Sequence, residues 1–296
     1  MANRGTFKGR LGEYVLLCPL GKSGGVEVQL GRRMDATGAR RFVVVEKFVI
    51  DRDADQTGQK RFTRRARAGT LFEHPALVKT QELGKLKDGI FCIRGFLRGD
   101  SLGFFLARAY EKEQAIEPAL AAELVAQAAE GLHFVQTLRG SGQEQLGLIH
   151  QNIHPDNLVL TASGRVKLVN FSLTRKVEPA DPSRRTAYLS PEQCMIKEVD
   201  ARSDVFSLGV VLWELLYGRR LFERQTEEAT RSAVIACLVT AVGSAARSVP
   251  DELARICERA LARKPDDRFN SAGEMAEALR EIAGVATVGE GVALRD

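Results

Sequence analysis

Twelve consecutive residues, Ile149-His150-Gln151-Asn152-Ile153-His154-Pro155-Asp156-Asn157-Leu158-Val159-Leu160, bring two imidazoles, two side-chain amides and a carboxylate together ahead of an apolar run. Imidazoles can move protons, and amides and carboxylates can orient a hydroxyl or ligate a cation. The polar core is turn-forming and closed by Pro155, and the residues after it are β-prone. Such a stretch reads as a loop delivered at the mouth of a strand. Three further places carry charge or amide chemistry in suggestive settings: Lys47 on a β-prone run, the arginines Arg65 and Arg94, and Asn170 in Asn170-Phe171-Ser172.

The elements that must position these groups follow from periodicity. From Tyr14 to Leu30 the chain alternates as a strand, a Gly-containing turn and a second strand. Arg41 to Ile50 is a third strand, on which Val45 and Lys47 share a face. Gln59 to Glu73 has a helical make-up and stops before His74-Pro75. Pro118 to Leu138 carries Leu120, Leu124, Ala128, Leu132 and Val135 at the spacing of a buried stripe. Leu158 to Leu160 and Val166 to Val169 form a hairpin about Ala162-Ser163-Gly164. Asp204 to Leu215 is a helix apolar all round, Pro250 to Ala262 is amphipathic, and Ser271-x-x-Glu274 is a capping box opening a last helix.

Taken in order, these motifs resemble the protein kinase family, in particular the bacterial Hanks-type Ser/Thr kinases, over roughly residues 14 to 283. The loop is similar to the kinase catalytic loop, with His150 and Asn157 as in the family pattern. Ser190-Pro191-Glu192 resembles the Ala-Pro-Glu that ends the activation loop, and Asp204 to Leu215 resembles the buried helix that follows it. The resemblance implies an α+β, bilobal protein-kinase-like fold: a small β-rich N-lobe with one helix, and a larger, mainly α-helical C-lobe. The expected boundaries are a flexible lead-in at 1–13, the N-lobe at 14–97, the C-lobe at 98–283 and a flexible tail at 284–296. It further implies framework roles for His150, Phe171, Glu192, Asp204 and Arg268, with Arg268 pairing Glu192.

The chemical positions depart from the family. Asn152 stands at the catalytic Asp, His154 at a phosphate-side Lys, and Asn170 at the Asp that holds Mg²⁺, where a neutral carbonyl is a poor exchange for a charged oxygen. Ser23 and Val26 occupy two of the loop glycines. Arg65 falls where a helix Glu would pair with the strand lysine, and since two like charges at about 4 Å repel by roughly 4 kcal/mol at an effective dielectric near 20, Arg65 is expected to point away from Lys47 or to have an anion or acidic residue between them. Lys47 and Asn157 remain as a vestigial nucleotide pocket, with Val45 and Arg94 as obstructions. Arg184 and Arg185 alter the surface that would seat a substrate. The expectation drawn from these exchanges is a pseudokinase: no enzyme activity, no cofactor and no metal, acting in signalling as a protein-interaction or allosteric module. Its expected partners are proteins, an active kinase or a phospho-reader domain. The alternative is a nucleotide-binding switch or a very weak ATP-dependent Ser/Thr kinase.

Bulk properties bound the rest. A chain of 296 residues with 44% hydrophobic and 27% charged residues can bury a sizeable core. No apolar run reaches membrane-spanning length and no signal sequence opens the chain, so the expected location is the cytoplasm, away from membranes. Five scattered cysteines without a Cys-x-x-Cys pair argue against a disulfide framework or a zinc site. A net charge of +5, in short basic clusters, does not make a nucleic-acid surface.

Overall fold

The computed structural model describes residues 9–23, 25–34, 37–49, 56–112, 114–170, 185–239 and 249–287. They fall into two compact units, one drawn from residues 1–73 and 77–98 and the other from 74–76, 99–171 and 179–296. No helix among the described residues is long and apolar enough to cross a membrane.

The first unit is a six-stranded antiparallel sheet with one helix. Its strands are β1 (Arg10–Leu11), β2 (Tyr14–Ser23), β3 (Val26–Met34), β4 (Arg40–Val49), β5 (Thr80–Leu86) and β6 (Gly89–Gly95), in the spatial order β1-β2-β3-β4-β6-β5. Arg10 and Leu11, which the sequence placed in a flexible lead-in, pair with Val15 and Tyr14 because Leu11 can bury against the sheet. Helix α1 (Gln56–Gly69) starts earlier and stops earlier than its composition suggests. It ends where Gly69 meets Thr80 so closely that a Cβ would fall 2.4 Å from the Thr80 hydroxyl.

Residues directly opposed in an antiparallel pair share a face, and the face repeats every second residue. Glu46 and Phe48 therefore stand on one face with Val26, Ile90 and Cys92, and this is the face against which α1 lays Phe62 and Ala66. The other face carries Val43, Val45, Phe91 and Ile93, and it is covered by Leu11, Tyr14 and Leu16.

The second unit is mainly helical. A small sheet of β7 (Gly99–Ser101), β8 (Leu158–Thr161) and β9 (Val166–Leu168) accompanies α2 (Leu102–Glu111), α3 (Pro118–Thr137), the short α4 (Pro191–Cys194), α5 (Arg202–Tyr217), α6 (Glu227–Ala236), α7 (Asp251–Ala260) and α8 (Ala272–Thr287). Helix α5 is buried on every side, so each polar group on it needs a partner. Asp204 takes backbone N–H groups, Ser207 donates to the Tyr188 carbonyl at 2.7 Å, and Glu214 accepts from Tyr110 and Tyr188. Gly209 lets α7 approach, since a Cβ there would lie 2.9 Å from that of Ala260. Helix α8 runs to Thr287, into the segment expected as a loose tail.

Candidate active site

In the second unit the loop before β8 hangs on Asp204. The N–H groups of His150 and Gln151 each donate to one oxygen of its carboxylate, both at 2.7 Å. Two successive N–H groups can face one carboxylate because Gln151 takes a left-handed backbone, φ 59°, at a cost of about 1–2 kcal/mol for a residue with a Cβ. His150 is fully buried and donates from Nε2 to the Val169 carbonyl at 3.1 Å, fastening the loop to the end of β9.

The amides then form a closed network. Asn157 Nδ2 donates to the Asn152 carbonyl and to His154 Nε2, both at 2.8 Å, and Asn157 Oδ1 accepts from Asn170 Nδ2 at 2.9 Å. Since His154 Nε2 receives a proton donor, its ring carries its own hydrogen on Nδ1, which faces Asp156 Oδ2 at 3.7 Å. The nitrogen that would serve as a base is thus engaged. Asn170 is also left-handed, φ 55°, a conformation an Asn side chain tolerates. The buried Asn152 Oδ1 accepts no hydrogen bond among the described residues.

This donor set does not fit a tightly held divalent cation. It offers amide oxygens, one of them already capped by a neighbouring amide, and no group of three His, Cys, Asp or Glu that could hold a metal occurs among the described residues. Phe171, Ser172 and Arg184 lie outside the described residues. Arg185 is half-buried, and burial pulls its guanidinium below the ordinary value.

Below this loop the frame is tightly paired. Arg268, fully buried, donates to both oxygens of Glu192 at 2.7 and 2.9 Å and to the carbonyls of Ala262, Arg202 and Arg263. Burial pushes the Glu192 carboxyl up, but Arg268 and the Ser203 hydroxyl outweigh it and hold the group below its usual range. At Glu214 burial prevails and the carboxyl is raised despite Arg220 and two tyrosine hydroxyls.

In the first unit the sequence reading needs a correction. Lys47 lies opposite Phe91, on the sheet face away from α1, and its ammonium bonds Asp88 at 2.5 Å. That contact holds the Asp88 carboxyl below its usual value. Val45 shares this face in a filled apolar cluster, where the cavity beside Lys47 measures only about 10 Å³, room for a single water.

Arg94 instead lies opposite Val44, on the α1 face. The two residues expected to obstruct one pocket therefore stand on opposite sides of the sheet. Arg94 pairs with the buried Glu46 at 3.2 Å. Burial opposes its charge most strongly, but the Glu46 carboxylate and the Cys92 sulfur together outweigh it, so the guanidinium sits above its ordinary value.

Arg65 is half-buried in the stripe of α1 that includes Phe62 and Ala66, so it turns toward the sheet face of Glu46 rather than that of Lys47. Arg65 thus stands away from Lys47, the first of the two outcomes expected for it, and the reason is one residue of strand alternation between Glu46 and Lys47. Sequence reasoning missed Glu46 and Asp88. Nothing in the sequence told the face of Glu46 from that of Lys47, and the Asp88-Gly89 pair marked a hairpin turn without saying that it would lie beside Lys47.

A curled sheet unit with one helix, and a helical unit whose catalytic-type loop hangs on a buried aspartate, define the bilobal α+β protein kinase fold. The protein kinase domain family matches residues 21–281, and the chain belongs to that family. It is 31% identical over 275 residues to the tyrosine-protein kinase MasK of Myxococcus xanthus, covering 90% of this chain and 42% of that protein. It is 32% identical over 234 residues to the serine/threonine-protein kinase PknA of Corynebacterium glutamicum, covering 75% and 46%. With PknB of Mycobacterium tuberculosis it shares 29% identity over 264 residues, covering 86% and 40%. The chain thus spans less than half the length of these relatives.

These likenesses correct two expectations. The exchanges at Asn152 and Asn170 suggested a protein that is no enzyme and needs no cofactor. The relatives are named as protein kinases, and kinases of this family normally use Mg-ATP, so family membership points to an enzyme with Mg-ATP as its substrate.

Proposed function

We propose that this domain is a slow protein kinase, transferring a phosphoryl group from Mg-ATP to a protein hydroxyl, with association to a partner protein as a large part of its signalling output. The observation that carries this reading is a complete frame around exchanged chemical groups: Asp204 holds the loop, Asn157 is retained, and amides stand at 152 and 170. Phosphoryl transfer depends chiefly on positioning and charge neutralisation. The frame supplies the first. The neutral amide of Asn152 cannot take a hydroxyl's proton, and losing a general base slows a reaction by about 10²–10⁴-fold without abolishing it.

The relatives supply the reaction type, and their names include both tyrosine and serine/threonine kinases. The acceptor hydroxyl and the partner, an active kinase or a phospho-reader domain, belong to the same proposal. The test is incorporation of label from γ-labelled ATP into a generic protein substrate, by wild type and by Asn157→Ala. Slow incorporation that disappears in the variant supports the reading. Incorporation no faster than a no-enzyme control, or equal in the two proteins, overturns it.

A further inference from the structure

Charge is unevenly spread along this chain. Residues 1–98 hold 20 Lys and Arg against 10 Asp and Glu, a net +10, while residues 99–296 are net −5. Part of the excess lies on one sheet face of the first unit. Arg32 is directly opposite Phe42, and Met34 is directly opposite Arg40, so all four side chains stand on the face that α1 covers further along at Glu46 and Phe48. Phe96 joins them. Its N–H donates to the Phe42 carbonyl at 3.3 Å, and the two rings meet edge to face with centroids 6.3 Å apart.

Beyond α1 this face is open. Met34 is 54% exposed, Phe42 41% and Phe96 42%. Cation and apolar group alternate both along and across the strands, a checkerboard of Arg32, Met34, Phe42 and Arg40. On this face of β3 and β4 the described residues include one carboxylate, Glu46, and it is buried against Arg94. Three large apolar side chains beside arginines that form no ion pair among the described residues make a surface suited to association.

We infer that this face docks an acidic segment of a partner protein, an extended peptide in which carboxylates alternate with apolar side chains. The fit is one of charge and of period. Same-side side chains of an extended peptide recur about every 6.8 Å, the spacing of Arg32 from Met34 and of Arg40 from Phe42 along their strands. A nucleic acid would want open aromatic faces for stacking, and here the edge of one ring lies against the other. An anionic lipid surface would want a cluster of about 4–8 basic residues, more than this face presents.

The test is fluorescence anisotropy with the full chain and a short labelled peptide alternating Asp or Glu with Leu or Phe. Parallel probes are the same peptide with Asn and Gln for the acids, a labelled single-stranded oligonucleotide, and phosphatidylserine-containing vesicles. The acidic peptide is expected to bind in a salt-sensitive way, to weaken about tenfold in R32Q/R40Q with an unchanged melting temperature, and to weaken likewise in Phe42→Gln. The amide peptide is expected not to bind. Equal binding of the acidic and amide peptides, unchanged binding by R32Q/R40Q, preference for the oligonucleotide or the vesicles, or no peptide binding at all would each overturn the inference. None of these readouts involves phosphate transfer, so the docking face and the kinase reading stand or fall separately.

Discussion

Arg94→Leu should destabilise the first unit far more than a surface arginine substitution would. In the wild type the Arg94 guanidinium and the Glu46 carboxylate are 3.2 Å apart with side chains 12% and 7% exposed. Removing the cation leaves a buried carboxylate whose other hydrogen-bond partner among the described residues is the Cys92 thiol, 3.6 Å away and itself pushed up by burial. Stranding one member of a buried ion pair costs about 3–5 kcal/mol, whereas replacing both members by apolar residues of similar volume is often neutral or better. The double variant Glu46→Leu/Arg94→Leu should therefore recover most of the loss, a coupling of about 2–3 kcal/mol.

Urea unfolding followed by circular dichroism reads the effect. Trp213, the chain's one tryptophan, reports on α5 of the second unit and serves as the internal reference. Arg94→Leu within about 1 kcal/mol of wild type would place the pair among surface salt bridges. A double variant as unstable as the sum of its singles would likewise refute the reasoning.

Glu192 should govern part of the acid sensitivity of the second unit. Its folded carboxyl titrates below the unfolded one, so the stabilisation is complete above the ordinary carboxylate range and is lost as pH falls through the lowered folded value. Urea midpoints taken from neutral pH down to about pH 3 should fall less steeply for Glu192→Gln than for wild type. At Asp88, carboxyl-detected NMR should find a titration below the usual aspartate range that returns toward it in Lys47→Met. Asp88 is 64% exposed but the Lys47 side chain it pairs with is only 5% exposed, so Asp88→Asn leaves a buried ammonium facing a neutral amide and should cost more than the roughly 1 kcal/mol of an exposed pair.

The fold was legible because its signals are long and redundant. Helix α5, apolar all round, and the turn-rich loop before β8 announce themselves from composition and spacing. The orientation of the charged pair on β4 was not legible. Val43, Val44 and Val45 are apolar in succession, so the run gives no alternation from which to tell the two faces apart, and adjacent Glu46 and Lys47 differ by one residue of register. The deciding fact is tertiary: α1 lays Phe62 on Phe48 with ring centroids 5.9 Å apart, which puts Glu46 inward. The expectation that Arg94 needs a carboxylate followed from the chemistry of burial, but its identity depended on strand pairing. The weight given to exchanged residues was a different matter. A missing carboxylate describes a slower site, and the sequence alone does not convert slower into inactive.

The most direct measurement of the central claim is the rate of phosphoryl transfer by the restored variant Asn152→Asp/Asn170→Asp under the conditions used for wild type. If amides in place of carboxylates are what slow this domain, the rate should rise by about 10²–10⁴-fold, although the melting temperature should fall because a carboxylate at 170 cannot donate to Asn157 Oδ1. A restored variant that is folded and binds ATP yet transfers phosphate no faster than wild type would contradict the account.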